Sequence, residues 1–429
     1  MVASPRLTPS FSDHRSHLSL LREAALQAAD PAAAVRRALS EADLASRGRI
    51  FVVGAGKAGV AMTRAAEEFL GGRIAAGVVS VPDVPAEPGR RVKFLPGGHP
   101  IPTSGSLAAG REISKLLEKT SEDDLVLVLI SGGGSALMEM PRPGISLQDV
   151  QTATAAFLKS GAAIQEINCL RTPLSRIKGG GLARLAHPAR VLGLILSDVV
   201  GNPPETIASG PTVFRTYSPR EIDAVLNRYH FRKTLPPAVL AGLDSYSRNK
   251  RDAIPAAARV ENRIIASNRI AGEAAGAAAQ RLGFRLGYLA DDWEGEAREA
   301  GKRFAEMLIR ESGGGPACCI AGGETTVTVR GSGKGGRNLE AALAAAIALD
   351  GKPDLALSTL ATDGVDGPTD AAGAVVTGLT VERARRLGMD PVRYLGNNDS
   401  YAFFFGLEDL IRIGPTGTNV NDLSFGLIY

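Results

Sequence analysis

Leu125-Val126-Leu127-Val128-Leu129-Ile130 is an unbroken apolar block that stops at Ser131-Gly132-Gly133-Gly134-Ser135. A block of that length containing Val and Ile suits a strand buried on both faces, as in a parallel sheet. The same order recurs along the chain: an apolar block, a glycine or carboxylate loop, then helical spacing. Residues 49–53 run into Gly54-Ala55-Gly56-Lys57-Ala58-Gly59 and a helix over 60–70, and residues 191–196 end at Ser197-Asp198. Residues 317–321 end at Gly322-Gly323-Glu324, and 355–360 end at Ala361-Thr362-Asp363-Gly364-Val365-Asp366-Gly367. Further strands are expected at 76–81, 263–266, 284–289 and 327–329. Helices are expected within 16–46, 104–118, 146–164, 218–258, 269–282, 294–310 and 339–349, with Asp30-Pro31 as cap and first position of one of them. Strands alternating with helices predict α/β architecture. The proline-punctuated stretch after 218 places a domain boundary at 245/246, giving domains 1–245 and 246–429.

At 429 residues the chain is long enough for two or three cores. Aromatic residues are only 5%, which argues against stacking platforms for single-stranded nucleic acid. The net charge of +4 is spread over scattered basic residues, so no nucleic-acid stripe is expected. No apolar run approaches the roughly 18 residues of a membrane span, and no apolar signal core opens the chain. Cys169, Cys318 and Cys319 lack Cys-x-x-Cys spacing and are expected as buried thiols in a reducing cytoplasm. Residues 1 to about 15 are expected to fray.

The loops carry the candidate chemistry. Gly54–Gly59 satisfies Gly-x-Gly-x-x-Gly between a strand and a helix, with Asp83 at a plausible distance for a ribose partner. That pattern favours a dinucleotide, but Lys57 inside the loop favours a phosphate. Ser131, Gly132, Gly133, Gly134 and Ser135 suit an anion through backbone N–H groups and hydroxyls. Arg176 and Lys178 precede Gly179-Gly180-Gly181 in the same manner. Asp198 stands at a strand end, where it either acts in catalysis or caps a helix. His99, in Gly97-Gly98-His99-Pro100, is either an acid–base group or a hydrogen-bonded loop residue. Glycines 331–336 lead into Arg337 and Asn338, and Asn398 lies in another amide-rich loop. Asp363 and Asp366, three residues apart, suit a magnesium ion shared with phosphates, although Asp-x-x-Asp-Gly is also a common turn. No Cys–His pair and no His-Glu-x-x-His suggests a thiol or zinc enzyme. The set matches phosphoryl transfer, which needs amides, cations and a carboxylate-held metal around the moving group.

These motifs, continued by Ala321-Gly322-Gly323-Glu324-Thr325-Thr326-Val327, Gly335-Gly336-Arg337-Asn338-Leu339-Glu340 and Gly414-Pro415-Thr416-Gly417-Thr418-Asn419-Val420-Asn421-Asp422, resemble the glycerate 2-kinase family. Members carry a C-terminal MOFRL domain, here about 317–425, and the resemblance covers residues from about 20 to 429. It implies two α/β domains, the first a Rossmann-like parallel sheet with glycine-rich loops, with an active site in the cleft between them. It implies phosphorylation of (R)-glycerate at the C2 hydroxyl with ATP and Mg2+, giving 2-phosphoglycerate and ADP. Some members are labelled hydroxypyruvate reductases, so an NAD(P)H-dependent reductase is the alternative, and a non-catalytic nucleotide- or sugar-phosphate-binding regulator is a third reading. Under the kinase reading Lys57 and Arg337 neutralise the transferring phosphoryl group or the substrate carboxylate, and Asp198 orients the hydroxyl and accepts its proton. Gly54, Gly56, the Ser131–Ser135 loop, Lys178, Asn338 and Asn398 bind substrate or phosphate. Asp363 and Asp366 contact magnesium or ribose, and Glu324 either orients a cation or forms a structural ion pair. As loop cations facing a cleft, Lys57 and Arg337 are both expected to matter little for folding. The partner is a small molecule, with no nucleic acid or membrane, in a monomer or homodimer.

Overall fold

The computed structural model describes residues 9–44, 48–248 and 259–429. Its contacts form two compact units. One is Pro31–Ile265, and the other joins Ala266–Tyr429 to the helix His14–Ala29. By sequence order these are the inserted unit and the flanking unit.

In the inserted unit, β1 (Ile50–Ala55), β2 (Ile74–Val81), β3 (Val92–Pro96), β4 (Leu125–Ile130), β5 (Arg190–Leu196) and β6 (Val260–Ala266) form one sheet in the order β3-β2-β1-β4-β5-β6. The pairings from β3 across to β5 are parallel. Every residue of β1 and β4 is buried, as expected for strands covered on both faces. Helix Gly59–Leu70 buries Met62, Ala65, Ala66 and Leu70, and helix Ser104–Leu117 buries Ala109, Ile113 and Leu117. The i, i+3/i+4 spacing puts each set on one face. Helices Leu147–Lys159, Ile164–Leu174, Pro219–Arg228 and Pro237–Arg248 enclose a second core around Phe157, Leu170, Leu226 and Leu243. Each such side chain contributes about 1.5–3 kcal/mol when fully buried. Strand order reverses between β1 and β4. Open α/β sheets bind ligands at such a point, outside the carboxyl ends of the strands.

The flanking unit has β7 (Arg285–Glu296), β8 (Ala317–Thr326), β9 (Leu355–Ala361), β10 (Gly373–Thr377), β11 (Leu410–Ile411) and β12 (Asp422–Ile428), in the order β11-β10-β9-β12-β8-β7. This sheet is mixed. β7 and β8 are parallel, whereas β12 runs antiparallel to both its neighbours, β8 and β9. Helix Arg337–Ala348 is buried continuously from Asn338 to Ala346. Helix His14–Ala29 packs on helix Asn268–Arg281 through Leu18, Leu21, Ala25 and Ala29, and Thr418 Oγ1 donates to Ala29 O at 2.7 Å.

Two α/β units are present, the first with the Rossmann-like order, but the boundary differs from 245/246. The break falls at 265/266, and the helix before Asp30 joins the flanking unit because its apolar stripe is buried there. A helix does begin at Pro31. Strand β7 runs seven residues past 289, since an edge strand tolerates the polar Asp291, Asp292 and Glu294. Residues 327–329 form no strand, and Val329 is 72% exposed. Strands β3, β10, β11 and β12 were not expected. The tail at residues 1–8 and the helical reading of 249–258 lie outside the described residues. All three cysteines are free and buried, and among the described residues no helix is long and apolar enough to cross a membrane.

Candidate functional site

At the strand-order reversal of the inserted unit, the loops after β1 and β4 lock together. Ser131 N–H donates to Ala55 O at 3.2 Å, Lys57 N–H to Gly132 O at 2.9 Å, and Ala58 N–H to Ser131 Oγ at 3.0 Å. Gly56 N–H donates to Ser80 O and Gly59 N–H to Gly56 O. The N–H groups of residues 56–59 therefore all end on protein acceptors. Gly56 and Gly54 are glycines for room: a Cβ would stand 2.0 Å from Ser131 Oγ in the first case and 2.0 Å from Leu129 O in the second. What this locking presents outward is Lys57. Its ammonium is exposed and makes no hydrogen bond or ion pair among the described residues.

The Ser131–Ser135 loop is flanked by two titratable groups. A Cβ on Gly132 would lie 2.1 Å from Asp198 Oδ2, and one on Gly133 would lie 3.0 Å from the His99 ring. Bare glycine backbone thus lets a carboxylate and an imidazole approach the same turn. Burial, then Lys57 and Arg171, hold the His99 pKa below its ordinary value, so the neutral ring is favoured. Ser135 Oγ lies 2.8 Å from Ser209 Oγ, which donates to Asn168 Oδ1 at 2.7 Å. Ala208 and Ser209 both have positive φ, at 51° and 59°. Such strain in non-glycine residues is held only where the surroundings demand it, commonly at functional sites.

Lys178 is no open anion ligand. Its ammonium is buried in an ion pair with Glu139, and Gly179 and Gly180 donate their N–H groups to Ser209 O and Gly210 O.

In the flanking unit Arg337 opens helix Arg337–Ala348. Its Nε donates to Asp422 Oδ2 at 2.5 Å, Nη2 to Asp422 Oδ1 at 3.3 Å and Nη1 to Glu324 Oε1 at 3.0 Å. Asn338 Nδ2 donates to Asp422 Oδ1 at 2.9 Å. Asp366 takes the position a bound anion would take. Its Oδ1 accepts from Asn338 N–H at 3.0 Å and its Oδ2 from Leu339 N–H at 2.8 Å. Gly336 is needed for that approach, since a Cβ would lie 2.4 Å from the carboxyl carbon. The helix start expected to cradle phosphate is therefore capped by protein. Burial raises the Asp366 pKa, and it raises that of Asp422 to about 6 despite Arg337.

Asp366 is 1% exposed, with both oxygens engaged, so it is poorly placed as a metal ligand. Asp363 is half-buried, and its Oδ1 accepts from Val365 N–H at 3.0 Å. Among the described residues no cluster of three or more His, Cys, Asp or Glu side chains is placed to hold a metal. Asn398 is buried, donating to Glu340 Oε2 at 2.8 Å and accepting from Arg330 and Gly331 N–H. It shapes the glycine loop. Arg337, Asp363, Asp366, Asn398, Gly335 and Val365 line a cavity of about 670 Å3, within the size range of small-molecule sites.

Comparison with known proteins settles the family. The model described as "Domain of unknown function (DUF4147)" matches residues 17–244, and the MOFRL family model matches 317–422. A D-glycerate 2-kinase from Thermotoga maritima is 40% identical over 94% of this chain and 95% of its own length. The chain belongs to the glycerate 2-kinase family with a C-terminal MOFRL domain. A crystal structure of glycerate kinase from Thermotoga maritima matches with a TM-score of 0.90 at 37% identity, covering 98% of this chain and 100% of that one. A relative from Agrobacterium vitis, 41% identical over 89% of this chain and 100% of its own, has hydroxypyruvate reductase in its name.

Within this glycerate 2-kinase family member the reductase motif finds little support. A dinucleotide pyrophosphate needs open amides in the glycine loop, and those of residues 56–59 are taken. Asp83 is exposed to solvent. Sequence reasoning missed two functional candidates. Asp422 was visible only as the last residue of a motif. Arg171 sits mid-helix with no glycine or strand end beside it to draw attention.

Proposed function

We propose that this chain is an ATP-dependent kinase that phosphorylates D-glycerate at its C2 hydroxyl, releasing 2-phosphoglycerate and ADP. The observation that carries the reading is the cluster at the β1/β4 reversal. There an unpaired ammonium (Lys57), a carboxylate (Asp198) and an imidazole held neutral (His99) surround one glycine turn. In the transfer, the C2 oxygen bonds to the γ-phosphorus as the bond to the β–γ bridging oxygen breaks. Asp198 accepts the hydroxyl proton, and Lys57 neutralises charge on the phosphoryl oxygens.

The flanking-unit cavity is assigned to the nucleotide. It has nucleotide size, a glycine loop and the exposed apolar walls Val329 and Val365 to receive a base. Its lining is acidic, with Glu340, Asp363 and Asp366 against Arg337, so phosphates are expected to enter with a divalent cation. Asp363, open to the cavity, is the residue that would hold Mg2+, because that ion needs one or two carboxylates beside substrate phosphates. The metal would neutralise the phosphates, and Asp366 would serve through the helix start alone. The substrate is a small molecule, and the buried thiols fit a cytoplasmic setting.

The test is incubation of the pure protein with D-glycerate, ATP and Mg2+, with the product read by phosphorus NMR. A phosphomonoester at C2 is expected. Product at C3 only, or only NADH-dependent reduction of hydroxypyruvate, overturns the reading.

A further inference from the structure

A second cation of the inserted unit, besides Lys57, has no hydrogen-bond or ion-pair partner among the described residues. Arg171 stands on helix Ile164–Leu174, anchored by the buried Leu170 and Leu174 on either side. Its guanidinium is half-buried, yet it makes no hydrogen bond or ion pair among the described residues. It lines a cavity with Ser135, Pro100, Phe157, Lys178 and Glu139. Two of these charges cancel, since Lys178 and Glu139 form a buried pair. Arg171 is left as an uncompensated positive charge in a small, largely apolar space. Burial lowers its pKa, and the one carboxylate that acts against this is Glu139, already given to Lys178. A partly desolvated guanidinium without a protein partner among the described residues is a ready site for an anion.

The position ties this cation to the reaction centre. Ser135 belongs both to the cavity wall and to the glycine turn flanked by Asp198 and His99. Arg171 and Lys57 both depress the His99 pKa, so each lies within electrostatic reach of that ring. An acceptor with an anionic end in the cavity would therefore point its other end toward the turn. A planar fork of N–H donors matches a carboxylate in two parallel hydrogen bonds, a geometry that lysine cannot supply.

We propose that Arg171 binds the carboxylate of the acceptor substrate and so selects a 2-hydroxy acid over a neutral polyol, an inference that rests on the kinase reading above. Lys178 and Glu139 form the neutral floor beside it. Arg171 is a substrate-binding residue, and the phosphoryl group is handled elsewhere, by Lys57.

The test is calorimetric titration of D-glycerate into wild type, Arg171→Met and Arg171→Lys, followed by kinase assays with glycerate and with its neutral amide. Arg171→Met should weaken glycerate binding about 100-fold, leave the KM for ATP within about threefold, and not lower the melting temperature, because no protein hydrogen bond is lost. Arg171→Lys should recover part of the affinity. The preference for glycerate over glyceramide should be large in wild type and fall to within about threefold in Arg171→Met. Unchanged glycerate affinity in Arg171→Met overturns the proposal, as does a raised KM for ATP with the amide discrimination intact, which would assign Arg171 to a phosphate. Wild type that binds glycerate through Arg171 but phosphorylates none sinks the kinase reading and leaves the carboxylate site standing. Wild type that binds no glycerate overturns both.

Discussion

Each unit holds one of the two cations assigned to the transferring group, Lys57 and Arg337, beside a glycine loop, and the two are held in opposite ways. Lys57 is fixed by its backbone, through the N–H bond to Gly132 O, while its ammonium stays exposed and unpaired. Arg337 is fixed by its side chain, clamped between the carboxylates of Asp422 and Glu324. The first arrangement keeps a full positive charge available to a ligand. The second pre-orients a guanidinium and neutralises it, so its charge reaches an incoming phosphate only as those carboxylates are shared or protonated. The same residue pattern in sequence, a cation against glycines, thus covers a free charge and a structural node.

The comparison is broken or sharpened first at Lys57. Lys57→Ala should lower kcat by about 10³-fold or more, since a cation on a transferring phosphoryl is worth that much. Its stability should stay within about 0.5 kcal/mol of wild type, as for other exposed positions. Steady-state kinetics paired with thermal melts decide the matter, and a kcat within about threefold of wild type would remove Lys57 from the chemistry.

Arg337→Ala should do something different. It leaves the Asp422 carboxylate without its countercharge, which costs about 3 kcal/mol when such a pair is largely buried. The expectation that both loop cations matter little for folding is therefore kept as a prediction for Lys57 and replaced for Arg337, whose side chain is paired with Asp422 and Glu324. Urea unfolding of the two variants side by side separates them, and equal stability would put Arg337 in the same class as Lys57.

The third effect is a pH dependence. Asp422 has a folded pKa of about 6, above its ordinary 3.8, because burial outweighs Arg337. The native state binds this proton more tightly than the unfolded chain does. Relative to Asp422→Asn, wild type should therefore gain stability as pH falls from 7 to 5, by on the order of 1 kcal/mol, and lose it again as pH rises through about 6. A difference in melting temperature that stays flat over this range would mean that Asp422 remains ionised against Arg337.

The smallest expected change is in metal demand. Asp363→Asn keeps shape and should raise the Mg2+ concentration for half-maximal activity several-fold. An unchanged requirement would leave Asp363 as the acceptor of the Val365 N–H and nothing more.

The inserted unit was largely legible in the sequence. Strands β1 and β4 are covered on both faces, so their residues are apolar without interruption, and their loops carry glycines for close approach. The flanking unit was less so. Strand β12, in the middle of its sheet, reads Asp-Leu-Ser-Phe-Gly-Leu-Ile, where Ser424 and Gly426 break the apolar run that marks a central strand. The chemistry of single residues was least legible. Asp363 and Asp366 look equivalent in sequence and line one cavity, yet Asp363 is half-buried whereas Asp366 is buried with both carboxylate oxygens held at a helix start, an approach that Gly336 thirty residues earlier permits. Lys178 looks like a phosphate ligand until Glu139, far off in sequence, is found against it.

The helix His14–Ala29 also sets a schedule for synthesis. It leaves the ribosome before the inserted unit, whereas its neighbour β12 is made after that unit. At roughly 5–20 residues per second, about 400 residues separate them, so the helix waits on the order of 20–80 s for its full seat. Over that interval Leu18 and Leu21 have no finished surface to cover them, while the inserted unit, whose strands are contiguous in the chain, is free to fold. The nascent protein therefore carries an exposed apolar stripe until the flanking unit has been made, and that stripe is where a holding chaperone would find it.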